Sequence, residues 1–146
     1  MAGFSLVKEG ASDPVYKKLR IASQAYTLGD LVMLDRTSDA IDVVPATAST
    51  TTTNVYAVAL ETVTSAATEA LFCLVTPDQE WSVDVTNNSV VNNKNQRMVL
   101  TNKSVVNNTG TDNTTNTAVF MQTGVIDSLA SRKLVGNILK VANVTA

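Results

Sequence analysis

From Val15 to Val141 the chain is a succession of short apolar runs broken by Gly, Asn, Asp, Ser and Thr, and no stretch sustains a 3.6-residue period over three turns. An amphipathic helix needs apolar side chains at i, i+3, i+4 and i+7, whereas a half-buried strand needs them at every second position. The second pattern is the one present. In Glu80–Val85, Trp81, Val83 and Val85 alternate with Glu80, Ser82 and Asp84, as in an antiparallel strand with one face in a core and one in water. In Val55–Leu60, Tyr56, Val58 and Leu60 form a large face against Val55, Ala57 and Ala59. Ala70–Thr76 is apolar on both faces, which suits a strand buried inside a barrel or sandwich. Gly29–Asp35 and Ala40–Pro45 flank the turn-prone Arg36–Asp39 and read as a hairpin, with Asp42 on one face and Ile41 and Val43 on the other. Thr117–Gly124 and Arg132–Val141 supply two more strands. Strands recurring at about ten-residue spacing predict an all-β fold, a small β-barrel or β-sandwich of short antiparallel strands.

Composition points the same way. Of 146 residues, 45% are apolar and only 16% charged, against about 25% charged in an average domain. Thr and Asn stand in for the missing charge; the first favours strands and the second turns. Their density peaks around residues 86–117, where "SVVNN" occurs at Ser89–Asn93 and again at Ser104–Asn108. Two copies are too few for a solenoid. With the strand-like Arg97–Thr101 between them, the region reads as short strands with Asn-rich turns, followed by a longer loop at Thr109–Asn116. Residues 1–24, interrupted by Gly3, Gly10 and Pro14, hold no period and read as an extended N-terminal arm on a single β domain spanning 25–146.

Several chemistries are excluded early. There is no His, which removes Ser–His and Cys–His catalysis and nearly every catalytic zinc arrangement. Cys73 is the sole cysteine and lies in an apolar run, so it reads as a buried small hydrophobe. The six glycines form no phosphate-binding loop. Asp35, Asp39 and Asp42 lack the spacing, inner Gly and closing Glu of a calcium loop and read as turn carboxylates. No catalytic residue, cofactor or metal ligand is therefore assigned, and the chain is not expected to be an enzyme. The opening twenty residues hold no apolar core of signal-peptide length, and no run reaches the ~18 apolar residues of a membrane helix. Synthesis in a cytoplasm and no membrane partner are expected.

The net charge of −2 is unevenly spread. Residues 1–21 carry Lys8, Lys17, Lys18 and Arg20 against Glu9 and Asp13; residues 22–85 carry Arg36 against nine carboxylates; residues 86–146 carry six cations against Asp112 and Asp127. One small basic group without interleaved aromatics, in a slightly acidic chain, argues against nucleic acid. It fits instead an arm that meets an acidic protein surface, with Lys8, Lys17, Lys18 and Arg20 as the candidate contacts.

At "AYTLGDLVMLDRTSDAIDVVPATA" (25–48), "NVYAVALETVTSAATEALFCLVTPDQEW" (54–81) and "SRKLVGNILKV" (131–141) the sequence resembles the small decoration, or cement, proteins that stabilise the heads of tailed bacteriophages. The likeness lies in texture and strand order over most of residues 25–141. It implies a small β-barrel or sandwich that binds the outer capsid surface of a virion, clamps neighbouring major capsid protein subunits, often through an N-terminal arm, and assembles with itself, a homotrimer favoured over a dimer. A head–tail connector, tail or host-attachment protein of the virion is the alternative expectation.

Overall fold

The computed structural model describes residues 3–87, 96–109, 117–126 and 133–141. The alternation of Glu80–Val85 becomes β7 (Glu80–Val85), around which the larger sheet is laid out. One edge of β7 pairs with β12 (Lys133–Ile138), then β11 (Phe120–Ile126) and β8 (Arg97–Met98). The other edge is shared. β1 (Ser5–Lys8) runs antiparallel along its first half, and β10 (Val105–Val106), with β9 (Leu100–Asn102) beyond, lies along its second. The β7–β10 pair is parallel, a departure from the antiparallel expectation. A parallel neighbour needs a long crossover, and the whole chain between Val85 and Val105 serves as one.

The smaller sheet has the order β2 (Tyr16–Arg20), β6 (Glu69–Leu74), β5 (Val55–Ala59), β3 (Leu31–Leu34), β4 (Val43–Pro45), all antiparallel. The expected hairpin is the β3–β4 pair, with Leu34 opposite Val43. The smaller sheet is buried on both faces. Leu31, Val55, Val58 and Cys73 pack with Trp81, Val83, Phe120 and Leu134 of the larger sheet, while Val32, Ala57, Ala59, Ala70 and Phe72 turn the other way onto Leu19, Ile21 and Tyr26. This explains why Ala70–Thr76 is apolar throughout. In β5 the strict alternation fails at Tyr56: Val32 pairs with Ala57 but Met33 with Val55, a bulge that sends Val55 and Val58 to the same core. The fold is all-β and sandwich-like. The two edges of the smaller sheet approach at an isolated parallel bridge, Ile21 to Val43, and among the described residues neither sheet closes into a barrel.

The N-terminal residues 1–24 require a correction. Their backbone is extended, but from Gly3 onward it does not form a separate arm. Phe4 is buried beside Phe120, with ring centroids 6.2 Å apart. The Phe4 N–H donates to Gly29 O at 2.8 Å and the Gly3 N–H to Asp84 Oδ2 at 3.1 Å. Gly3 (φ 80°) and Gly29 (φ 97°) pack backbone to backbone, in conformations only glycine adopts readily. β2 pairs with β6 along its whole length and buries Leu19. The two strands are four and five residues long and serve different sheets, so no single period runs through the segment.

The Asn-rich region is turn chemistry where it is described. Asn102 Oδ1 accepts from the Ser104 N–H (2.9 Å), and Asn107 Oδ1 accepts from the Thr109 N–H (3.1 Å), each closing a local turn. Asn108 is fully buried and imitates a strand neighbour: its Oδ1 accepts from Asn87 N–H (2.9 Å) and its Nδ2 donates to Asn87 O (2.8 Å). The first "SVVNN" copy and residues 110–116 of the expected loop lie outside the described residues.

Where β2 meets the start of β4, Asp42 accepts from the Arg20 N–H (2.7 Å), Nε (3.2 Å) and Nη2 (2.8 Å). These hydrogen bonds, side chain first and backbone second, hold the Asp42 carboxyl below its ordinary range. A carboxylate lowered in the folded state adds stability above its unfolded value, near 3.9, and that stability is lost as pH falls through the lower, folded value. The thermal midpoints of the wild type and Asp42→Asn are therefore expected to differ at neutral pH and to converge in acid below that range. The gap should be no larger than a surface ion pair gives, and salt should narrow it.

Candidate interaction surface

β2 is an edge strand, and its hydrogen-bonding directions follow from its neighbours. Val15 O accepts from Leu74 N–H and Ile21 N–H donates to Thr68 O, so the odd-numbered residues face β6. The Arg20 N–H turns the other way, to Asp42. By the two-residue period of a strand, the N–H and C=O groups of Tyr16 and Lys18 also point away from β6, onto the open side of the sheet. Lys17 and Lys18 are exposed, and neither has an ion-pair partner among the described residues.

Beside this edge the two sheets part. A cavity of about 280 Å³ opens there, lined by Phe4 just before β1 and Leu6 within it, Tyr16 from β2, Leu28 from the turn before β3, and Leu60, Cys73 and Trp81 deeper in. Its rim is apolar and wet: Tyr16 is 57% exposed and Leu28 36%, and Val7 and Val15, next in sequence to Leu6 and Tyr16, are each 50% exposed. Trp81 is buried, and its indole N–H has no acceptor among the described residues. The Cys73 thiol is buried as well, and desolvation pushes its pKa up, away from a reactive thiolate.

The four sequence-chosen cations are not one cluster. Lys17, Lys18 and Arg20 share β2, whereas Lys8 ends β1 in the other sheet, opposite Glu80. Arg20 is engaged in the Asp42 seam. The acidic residues are similarly occupied: Asp35 accepts from the Thr37 and Ser38 N–H groups within its own turn, and Asp78 accepts from the Ala11 N–H and the Thr76 hydroxyl. Among the described residues no three His, Cys, Asp or Glu side chains gather as a metal site, and no helix is long and apolar enough to cross a membrane. Sequence reasoning missed the apolar cleft, because six separate segments build it. The one local signal was the exposed pair Val15-Tyr16 beside the cationic run.

No protein-family model matches the chain, and no curated protein matches it.

Proposed function

We propose that the protein is a structural component of a virion, binding the outside of a phage capsid and stabilising contacts between major capsid subunits. The likeness of residues 25–141 to capsid decoration proteins motivates the reading. The observation that carries it is the surface along β1, β2 and the turn before β3, where exposed apolar side chains and unpaired lysines sit together. Such a surface suits a protein partner, since exposed apolar groups beside free charge mark contact sites rather than reaction centres. A body built from two sheets gives that surface a rigid base. Copies arranged on a lattice, as closed homotrimers, multiply modest contacts into firm attachment.

The test is the stoichiometry of this protein relative to the major capsid protein in gradient-purified particles of its source phage. A ratio near one, or a simple fraction of it, is expected. About a dozen copies per particle, the number a low-order symmetric assembly supplies, moves the protein to the head–tail connector, tail or host-attachment apparatus. Absence from particles removes the virion reading.

A further inference from the structure

We propose that the free edge of β2 accepts an extended acidic segment of a partner protein as an added strand, with its apolar side chains seated in the cleft beside Trp81. Three independent features converge on this edge. The outward N–H and C=O groups of Tyr16 and Lys18 match the spacing of one further antiparallel or parallel neighbour, and the ladder they offer ends at Arg20, whose N–H Asp42 occupies. The cleft lies alongside, open at Tyr16 and Leu28 and floored by buried apolar groups, with room for one or two large apolar side chains. The edge is positive, and neither lysine has an ion-pair partner among the described residues, Asp42 reaching Lys17 only through its field: Lys17 shares a face with Leu19, and Lys18 shares one with Tyr16, so carboxylates on either side of an added strand meet an ammonium group.

Charge complementarity therefore selects the occupant. A basic or neutral strand leaves the lysines opposed or unanswered, whereas alternating acidic and apolar residues satisfy the edge, the cleft and the lysines together. Edge lysines also serve in other proteins to repel stray strands. Such guarding needs no cleft next to the edge, and here a cleft is present. The inference deepens the reading of that same surface as a protein-contact site, and its test on the free chain fails or succeeds independently of the copy number in particles.

The experiment uses the purified full chain and three labelled decapeptides, followed by fluorescence anisotropy. One alternates Glu with Leu; the second is its twin with alternate backbone amides N-methylated; the third alternates Lys with Leu. Saturable binding of the Glu–Leu peptide is expected. It should weaken by about tenfold or more, at least 1.4 kcal/mol, both for the methylated twin and for the Lys17→Glu/Lys18→Glu variant, and the Lys–Leu peptide should not bind. Leu28→Asp, on an exposed rim position, provides a second variant with the same expected loss. Equal binding of the methylated twin overturns the proposal, since adsorption by charge or grease needs no backbone pairing. Absence of saturable binding overturns it too, leaving the lysines as guards. So does a stable dimer of the free chain from which the peptide releases monomer, because a second copy then owns the edge.

Discussion

Gly136→Ala is expected to cost about 3 kcal/mol or more, at the top of the range for overpacking a folded interior, while Gly124→Ala, twelve positions earlier in the same hairpin, changes stability by less than about 1 kcal/mol. The contrast comes from what a methyl group would meet. At Gly136 it would fall well inside the van der Waals contact distance of the Met121 carbonyl oxygen and lie 2.9 Å from Phe120 Cζ. The first obstacle is backbone and cannot rotate away; the second is a fully buried ring in the main core. At Gly124 the nearest atom is Val135 Cβ, at an ordinary 3.9 Å. The β11–β12 register explains the asymmetry. Gln122 pairs with Gly136 and Gly124 with Val135, so Thr123 is an extra residue bulged between them. The bulge lets the Thr123 hydroxyl reach past β12 to Glu80 Oε1 of β7 (3.0 Å). Urea denaturation of both variants decides the matter. Similar losses at the two glycines would show that β11 and β12 tolerate a wider separation and that the close approach is not needed.

These features also mark where the sequence was readable. β7 and the β3–β4 hairpin were legible because each strand has one fixed relation to its core, so burial writes itself into alternation. β6 was legible as buried on both faces for the same reason: Phe72 and Cys73 point to opposite cores. Legibility failed wherever a strand changed its relation midway. The bulge at Tyr56 breaks the period of β5. The strand-like Arg97–Thr101 splits at Val99, with Arg97–Met98 pairing β11 and Leu100–Asn102 pairing β10. The N-terminal segment failed most clearly, because Phe4 and Leu19 report to different sheets and neither sets a rhythm. The cleft could not be read at all: Leu6, Tyr16, Leu28, Leu60 and Trp81 are neighbours only after both sheets exist.

A second large effect is expected at a contact between the sheets that has no signature in the sequence. Lys103 occupies the turn between β9 and β10, and Asp30 immediately precedes β3. Asp30 is only 3% exposed; it accepts from the Thr27 N–H at 2.9 Å and is paired with Lys103 Nζ at 3.1 Å. The Leu31 N–H donates to Lys103 O at 2.7 Å, and the Lys103 ammonium lies 5.6 Å from the centre of the Tyr26 ring. Burial first, and the charge of Asp30 second, push the Tyr26 hydroxyl up to about 12. The turn of one sheet is thus pinned into the other by a charge pair, one member of which is out of water. Removing the cation alone strands the carboxylate. Full burial of such an orphan costs about 3–5 kcal/mol, but the lysine side chain keeps 35% of its exposure, which lets solvent relieve part of the loss. Lys103→Met is therefore expected to destabilise by about 2 kcal/mol. Asp30→Asn in the same chain removes the stranded charge and keeps an acceptor for Thr27, so the double variant should be more stable than the sum of the two single losses predicts, by about 1 kcal/mol. Chemical denaturation of all four proteins measures that coupling. Strict additivity would mean that the ion pair contributes nothing to joining the sheets.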